Sequence, residues 1–154
     1  MPLNNRIEDL HPSLAAVYTE AKAAYHAAEP AAPRVELNET HRSMAVMQAY
    51  YAQGRQPLAE INRLRALAGL YLLGAAEAKT PVTWVLPGNS KHAKTPAEAF
   101  DVRLIDRVTG KATWEPAAFV LFAKYVKAAA AKLGKRISQG AYWKKKDYPH
   151  TELA

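Results

Sequence analysis

Two long helical stripes, one near each end of the chain, flank a middle punctuated by proline and glycine. This pattern constrains the fold more than any other feature of the sequence. Leu10, Leu14, Val17, Ala21 and Tyr25 recur at three- and four-residue intervals, the spacing of one apolar helix face. Pro12 suits the first turn, where an amide hydrogen has no partner to lose. The two prolines in residues 29–33 end the segment. Phe119, Phe122, Val126, Ala130 and Leu133 predict a second long helix over residues 116–133, closed by Gly134. Between them, Ser43 predicts the cap of a shorter helix with Val46, Met47, Tyr50 and Tyr51 inward and Gly54 after it. Leu58, Ile61, Leu64, Ala68 and Leu72 predict a further helix over residues 57–73.

Strand signals are short. Residues 35–37, 82–85 and 148–153 are candidates, and residues 99–105 give the clearest alternation. There Phe100, Val102 and Leu104 share one side, while Ala99, Asp101 and Arg103 share the other. Asp101 is thus directed away from the core, toward a cleft or solvent. Thr109-Gly110-Lys111 predicts a hairpin turn within residues 106–114. Helices outnumber strands without regular alternation, so the expected class is α+β, a small antiparallel sheet flanked by helices. The 154 residues suffice for one domain.

Composition removes several function classes. With no cysteine there is no disulfide framework, thiolate metal site or cysteine nucleophile. Lys and Arg number 21 against 14 Asp and Glu, a formal charge of +7 that favours an anionic partner. No apolar run reaches the roughly 18 residues of a membrane span. The longest, residues 67–76, is broken by Gly69 and Gly74. Residues 1–10 carry Arg6, Glu8 and Asp9 and have no apolar stretch of the secretory kind. Trp84, Trp114 and Trp143 are expected in the core, and Lys144-Lys145-Lys146 is expected as a solvated run.

Without cysteine, a transition-metal site must use histidine and carboxylate. His92, Asp101 and His150 form one such set, since an open zinc site needs three protein donors and a position for water. Spacing alone equally fits a surface histidine, a strand-end carboxylate and a tail histidine. Asp147 and His150 share a site only if the chain bends at Tyr148-Pro149, because residues three apart on a straight strand face opposite ways. His150 and Glu152 do share a face, which makes Glu152 a candidate acceptor for the imidazole.

The local motifs carry more. Ser90-Lys91-His92 followed by Ala99-Phe100-Asp101 resembles the Ser-x-His…Ala-x-Asp motif of the VanY-like zinc D,D-carboxypeptidases and phage L-alanyl-D-glutamate peptidases (endolysins). Asp147-x-x-His150 and the preceding Gly140-Ala141-Tyr142-Trp143 resemble that family's carboxy-terminal motifs. His41-Arg42-Ser43, Gln48 and Tyr51-Ala52-Gln53-Gly54-Arg55 resemble its upstream block, and Leu10-His11-Pro12-Ser13-Leu14 its opening helix in phage members. The matches run in order over most of the chain. The departures are a nine-residue gap from His92 to Asp101, His41 where an aromatic is commoner, and a helix-like segment over residues 57–78.

The resemblance implies a Hedgehog/D,D-peptidase-like zinc peptidase fold filling residues 1–154, with residues 57–78 as a helical insertion. It implies one Zn2+ on His92, Asp101 and His150, Asp147 as the carboxylate that moves the proton of the activated water, and Arg42 as a substrate or oxyanion residue. Ser90, Gln48 and Glu152 fall at supporting positions. The implied activity is hydrolysis of the L-alanyl-D-glutamate bond of the peptidoglycan stem peptide, with bacterial lysis as the result. A D-alanyl-D-alanine carboxypeptidase and a non-catalytic wall-binding protein stay open, because the motifs do not separate them. The expected setting is the host bacterial cytoplasm, then the periplasm after passage through a holin-like pore. The expected form is a monomer with no nucleic-acid partner.

Overall fold

The structure, a computed structural model, describes residues 4–154; the first three residues of the amino-terminal stretch read above lie outside them. Alternating burial builds the two central strands, β1 (Arg34–Glu39) and β2 (Ala99–Ile105), which pair antiparallel. β3 (Ala112–Thr113) returns along the end of β2 through the predicted hairpin, whose turn is held by Asp106 Oδ1 accepting from the amides of Val108 and Thr109. β5 (His150–Leu153) pairs with the start of β2, and β4 (Ile137–Gln139) pairs with β5. The result is a five-stranded antiparallel sheet in the order β1-β2-β5-β4, with β3 beside β2.

One face of this sheet carries the core. Val35 and Leu37 of β1 and Phe100, Val102 and Leu104 of β2 meet α1 (Pro12–Ala28) and α5 (Pro116–Leu133). Both helices begin with the expected proline, and Gly134 closes α5 at a φ of 66°, where a β-carbon would be strained. Tyr25 lies at the centre. Its ring meets Phe122 and Tyr125 edge-on at 5.2 and 5.6 Å, and its hydroxyl donates to the Pro33 carbonyl at 2.6 Å. Burial of each such side chain contributes about 1.5–3 kcal/mol. With one face filled by helices, Asp101 and its neighbours are left to the other face.

Shorter helices stand on that side. α2 (Met44–Ala52) is capped by Ser43, whose Oγ accepts from Val46 N at 3.3 Å. α3 is shorter than its periodicity predicts. It covers Leu58–Leu67 and stops at Gly69, whose φ of 74° turns the chain out of the helix. Leu72 is therefore exposed rather than inward. The chain returns over α3 as an irregular segment, clamped where the Asn62 amide donates to the Leu73 carbonyl and accepts from its N–H. The brief α4 (Ala75–Ala78) follows, and Ile61, Leu73, Ala78 and Ala52 form a small second cluster.

Other expectations fail. Residues 82–85 form no strand, and Val82, Trp84 and Val85 are exposed, because no neighbouring strand meets them. Trp84 and Trp114 are 62% and 59% exposed, outside the core, and only Trp143 is half-buried. Trp114 stacks on Phe119. Among the described residues no helix is long and apolar enough to cross a membrane.

Glu36 and Arg103 stand directly opposite on β1 and β2, with Arg103 Nε donating to Glu36 Oε2 at 2.9 Å. This bond outweighs partial burial and, with the Arg34 contact, lowers the Glu36 pKa. The pair therefore contributes fully above the ordinary value of 4.5 and is lost as pH falls through the lowered folded value. Glu36→Gln should cost about 0.5–1 kcal/mol at neutral pH and nothing at pH 2, measured by urea unfolding at both.

Candidate metal centre

A single row of side chains across three strands forms the floor of the site. β2 pairs Asp101 with His150 on β5 and with Glu39 on β1, so all three project from the face opposite the core. Glu39 reaches this row through an irregularity. Simple alternation would set it beside Val35 and Leu37 in the core, but the register shifts between Leu37 and Glu39. Glu152 lies two residues beyond His150 and shares its face, as expected.

His92 arrives from outside the sheet. It lies in a 3-10 turn, Lys91–Ala93, capped by Ser90, whose Oγ accepts from His92 N at 3.2 Å. Two bonds stitch the residue to the segment after β1. Its carbonyl accepts from Arg42 N at 2.8 Å, and its Nδ1 lies 2.7 Å from the Thr40 carbonyl oxygen. A carbonyl only accepts, so Nδ1 carries the proton and Nε2 holds a free lone pair. That Nε2 is buried, has no hydrogen-bond partner and lies 3.4 Å from Asp101 Oδ1.

His150 is oriented from its other side. Its Nε2 donates to Glu152 Oε1 at 2.9 Å, while Nδ1 faces Asp101 Oδ1 at 3.0 Å and Asp147 Oδ2 at 4.0 Å. Burial alone would lower its pKa, but the bonds to Asp101 and Glu152 prevail and raise it to about 9. Burial would raise Asp101, yet the two imidazoles outweigh it and hold the carboxyl well below the carboxylate range. One donor atom each from His92, Asp101 and His150 lie within 4.8 Å of one another. An orphaned imidazole nitrogen beside a carboxylate and a second imidazole is a donor set that could hold a metal ion. The carbonyl of Thr40 and the carboxylate of Glu152 supply the outer bonds that orient such ligands.

Asp147 occupies the rim, its side chain half exposed. The predicted bend is a turn in which His150 N donates to the Asp147 carbonyl at 3.1 Å, with Tyr148-Pro149 at the corner. Burial and the charge of Asp101 push its carboxyl pKa up. Gly140 fixes the same loop: Asp147 N donates to the Gly140 carbonyl at 3.0 Å, and a β-carbon on Gly140 would overlap the Asp147 carbonyl oxygen. Trp143 packs its ring 5.2 Å from that of His150 and donates through Nε1 to Ser138 Oγ at 2.7 Å.

Arg42 lies beside the row. It is held by Glu39 through Nε at 2.5 Å and Nη2 at 2.9 Å, with Nη2 3.8 Å from Asp101 Oδ2. Above this floor opens a cavity of about 800 Å3, lined by Arg42, Ser90, His92, Asp101, Asp147, His150 and Glu152 together with Tyr50, Gln53, Arg65, Tyr71 and Glu77. Gln48 is exposed on the outer side of α2 and lines no part of it, and His41 borders a separate cavity. Sequence reasoning passed over Glu39, Thr40 and Arg65. For Glu39 and Arg65 the only signal was charge at positions whose burial depends on a bulge or an irregular loop, and Thr40 acts through a backbone carbonyl that no side-chain pattern marks.

An ion that binds the native state alone stabilises it. Zinc should raise the melting temperature of the protein and a chelator should reverse the gain, while His92→Ala should abolish the response. An unchanged zinc response in His92→Ala would remove His92 from the ligand set. Gly140→Ala should lower unfolding stability by about 1–3 kcal/mol, since the Asp147 loop must move.

No family profile matches the chain, and no curated protein matches it. Among solved structures it is similar to the crystal structure of the Serratia marcescens L-Ala D-Glu endopeptidase ChiX, with a TM-score of 0.58 and 23% identity. The match covers 96% of this chain and 83% of that one. The two chains share a fold.

Proposed function

We propose that the protein is a zinc-dependent peptidoglycan peptidase that hydrolyses the L-alanyl-D-glutamate bond of the stem peptide. The observation that carries this is the buried, unpartnered Nε2 of His92 aimed at Asp101 and His150 on the floor of a cavity large enough for a peptide. The fold shared with a protein named as an L-Ala D-Glu endopeptidase supports the choice of bond. His92 Nε2, an oxygen of Asp101 and His150 Nδ1 would hold the ion. Zinc there supplies a Lewis acid for the scissile carbonyl and lowers the pKa of a water toward 7.

The remaining work falls to the chain's own groups. Asp147 accepts the proton of the attacking water and returns it to the leaving amine. Its raised pKa and its 4.0 Å distance from His150 support that role, because a carboxylate nearer neutrality is a better proton carrier. Arg42 keeps a positive charge beside the centre as the carbonyl oxygen becomes negative. Glu39 holds that guanidinium by two bonds, so little reorganisation accompanies the reaction. Glu152 and Thr40 keep each imidazole presenting the same nitrogen.

Asp147→Asn should lower kcat about 10²–10⁴-fold with zinc content unchanged, whereas His150→Ala should lose the metal. Mass spectrometry of digested muropeptides tests the bond. Release of the stem after L-Ala supports the proposal, and loss of terminal D-Ala alone would reassign the bond. Turnover indifferent to both chelator and zinc would reject the metal mechanism.

A further inference from the structure

Three cations line the cavity above the His92–Asp101–His150 floor: Arg42, Lys91 and Arg65. Two of them are committed to carboxylates. Arg42 is gripped by Glu39, and Lys91 lies 3.5 Å from Glu152 and donates to the Leu153 carbonyl. Arg65 is not. It stands on α3, is 3% exposed, and among the described residues has no carboxylate within 4.0 Å of its guanidinium.

Its bond to the protein is Nε donating to the Tyr71 carbonyl at 2.6 Å, with the guanidinium 4.6 Å from the centre of the Tyr71 ring. No described residue accepts a hydrogen bond from either Nη nitrogen. The carboxylate in the same wall, Glu77, is occupied by the Tyr71 hydroxyl at 2.9 Å. A buried guanidinium without a counter-charge is costly, and its free edge is a planar fork that fits a carboxylate with two parallel bonds.

We propose that Arg65 is the recognition residue for a free carboxylate of the substrate. It would set ligand choice from the 57–78 segment, while the metal centre on the sheet supplies the chemistry. The identity of that ligand rests on the peptidase function proposed above. D-glutamate enters a peptide through its amine and one carboxyl, so its second carboxyl remains an anion next to the scissile bond. Tyr71 holds the guanidinium in place from one side, and the cavity leaves the other side to the ligand.

The test uses two synthetic stem peptides, acetyl-L-Ala-D-Glu extended through one carboxyl, with the other carboxyl free or amidated. Cleavage is measured on the zinc-loaded protein, and equilibrium binding on the zinc-loaded Asp147→Asn protein. The wild-type cavity should favour the free acid about 10- to 100-fold, in KM more than in kcat and in binding alike. Arg65→Gln should bring the two peptides level, and Arg65→Lys should recover part of the preference. Equal treatment of both peptides by the wild-type cavity overturns the proposal without recourse to a variant. So does failure to bind either peptide, or a preference that survives Arg65→Gln. If neither peptide is cleaved but the binding preference is present and Arg65→Gln removes it, the peptidase function fails and the carboxylate site stands.

Discussion

A carboxylate buried between two imidazoles, Asp101 with His92 and His150, is the constraint on which the rest of the molecule depends. A lone ionised carboxylate so placed would cost several kcal/mol. It is tolerated because two imidazoles and the Arg42 guanidinium surround it, each held in turn by a further acceptor: Thr40, Glu152 and Glu39. The imidazole on one side nevertheless points a bare nitrogen into the gap. A cation among these donors would satisfy that nitrogen and the carboxylate together, which is the physical basis of the proposed metal centre.

The sheet makes this arrangement rigid. The donors Asp101 and His150 sit on paired strands, and their position follows from the register of β2 with β5. That register is set from the opposite face, where Phe100, Val102 and Leu104 pack on α1 and α5. A slip by one residue would bury Asp101 in hydrocarbon. The apolar core and the polar row are thus two consequences of one alternation.

The other side of the cavity is built differently. Residues 57–78 share a small cluster with Ala52 of α2 and carry an irregular return segment and a buried arginine without an acidic partner among the described residues. On the proposed function, the sheet would supply a fixed centre and the 57–78 segment a wall whose charge meets the ligand. The exposed Trp84 lies near the rim, with Lys145 over its ring at 3.4 Å.

Much was legible in the residues. Period-3.6 stripes located α1 and α5, proline and glycine marked their ends, and alternation over 99–105 turned Asp101 away from the core. The His92, Asp101, Asp147 and His150 motifs were visible as local words, as was the bend at Tyr148-Pro149. Local patterns suffice there because each depends on neighbours within a few positions. The exposure of Trp84 and Gln48, the bulge that swings Glu39 to the site and the lack of a carboxylate beside Arg65 were decided elsewhere. They depend on which surfaces the tertiary packing leaves covered, and on which charges it brings within about 4 Å, pairs that lie up to 112 residues apart in sequence. The sequence alone determined the two long helices, the central strand and the chemistry of the donors. Only the folded chain decided which donors face one another and which cation was left without a partner.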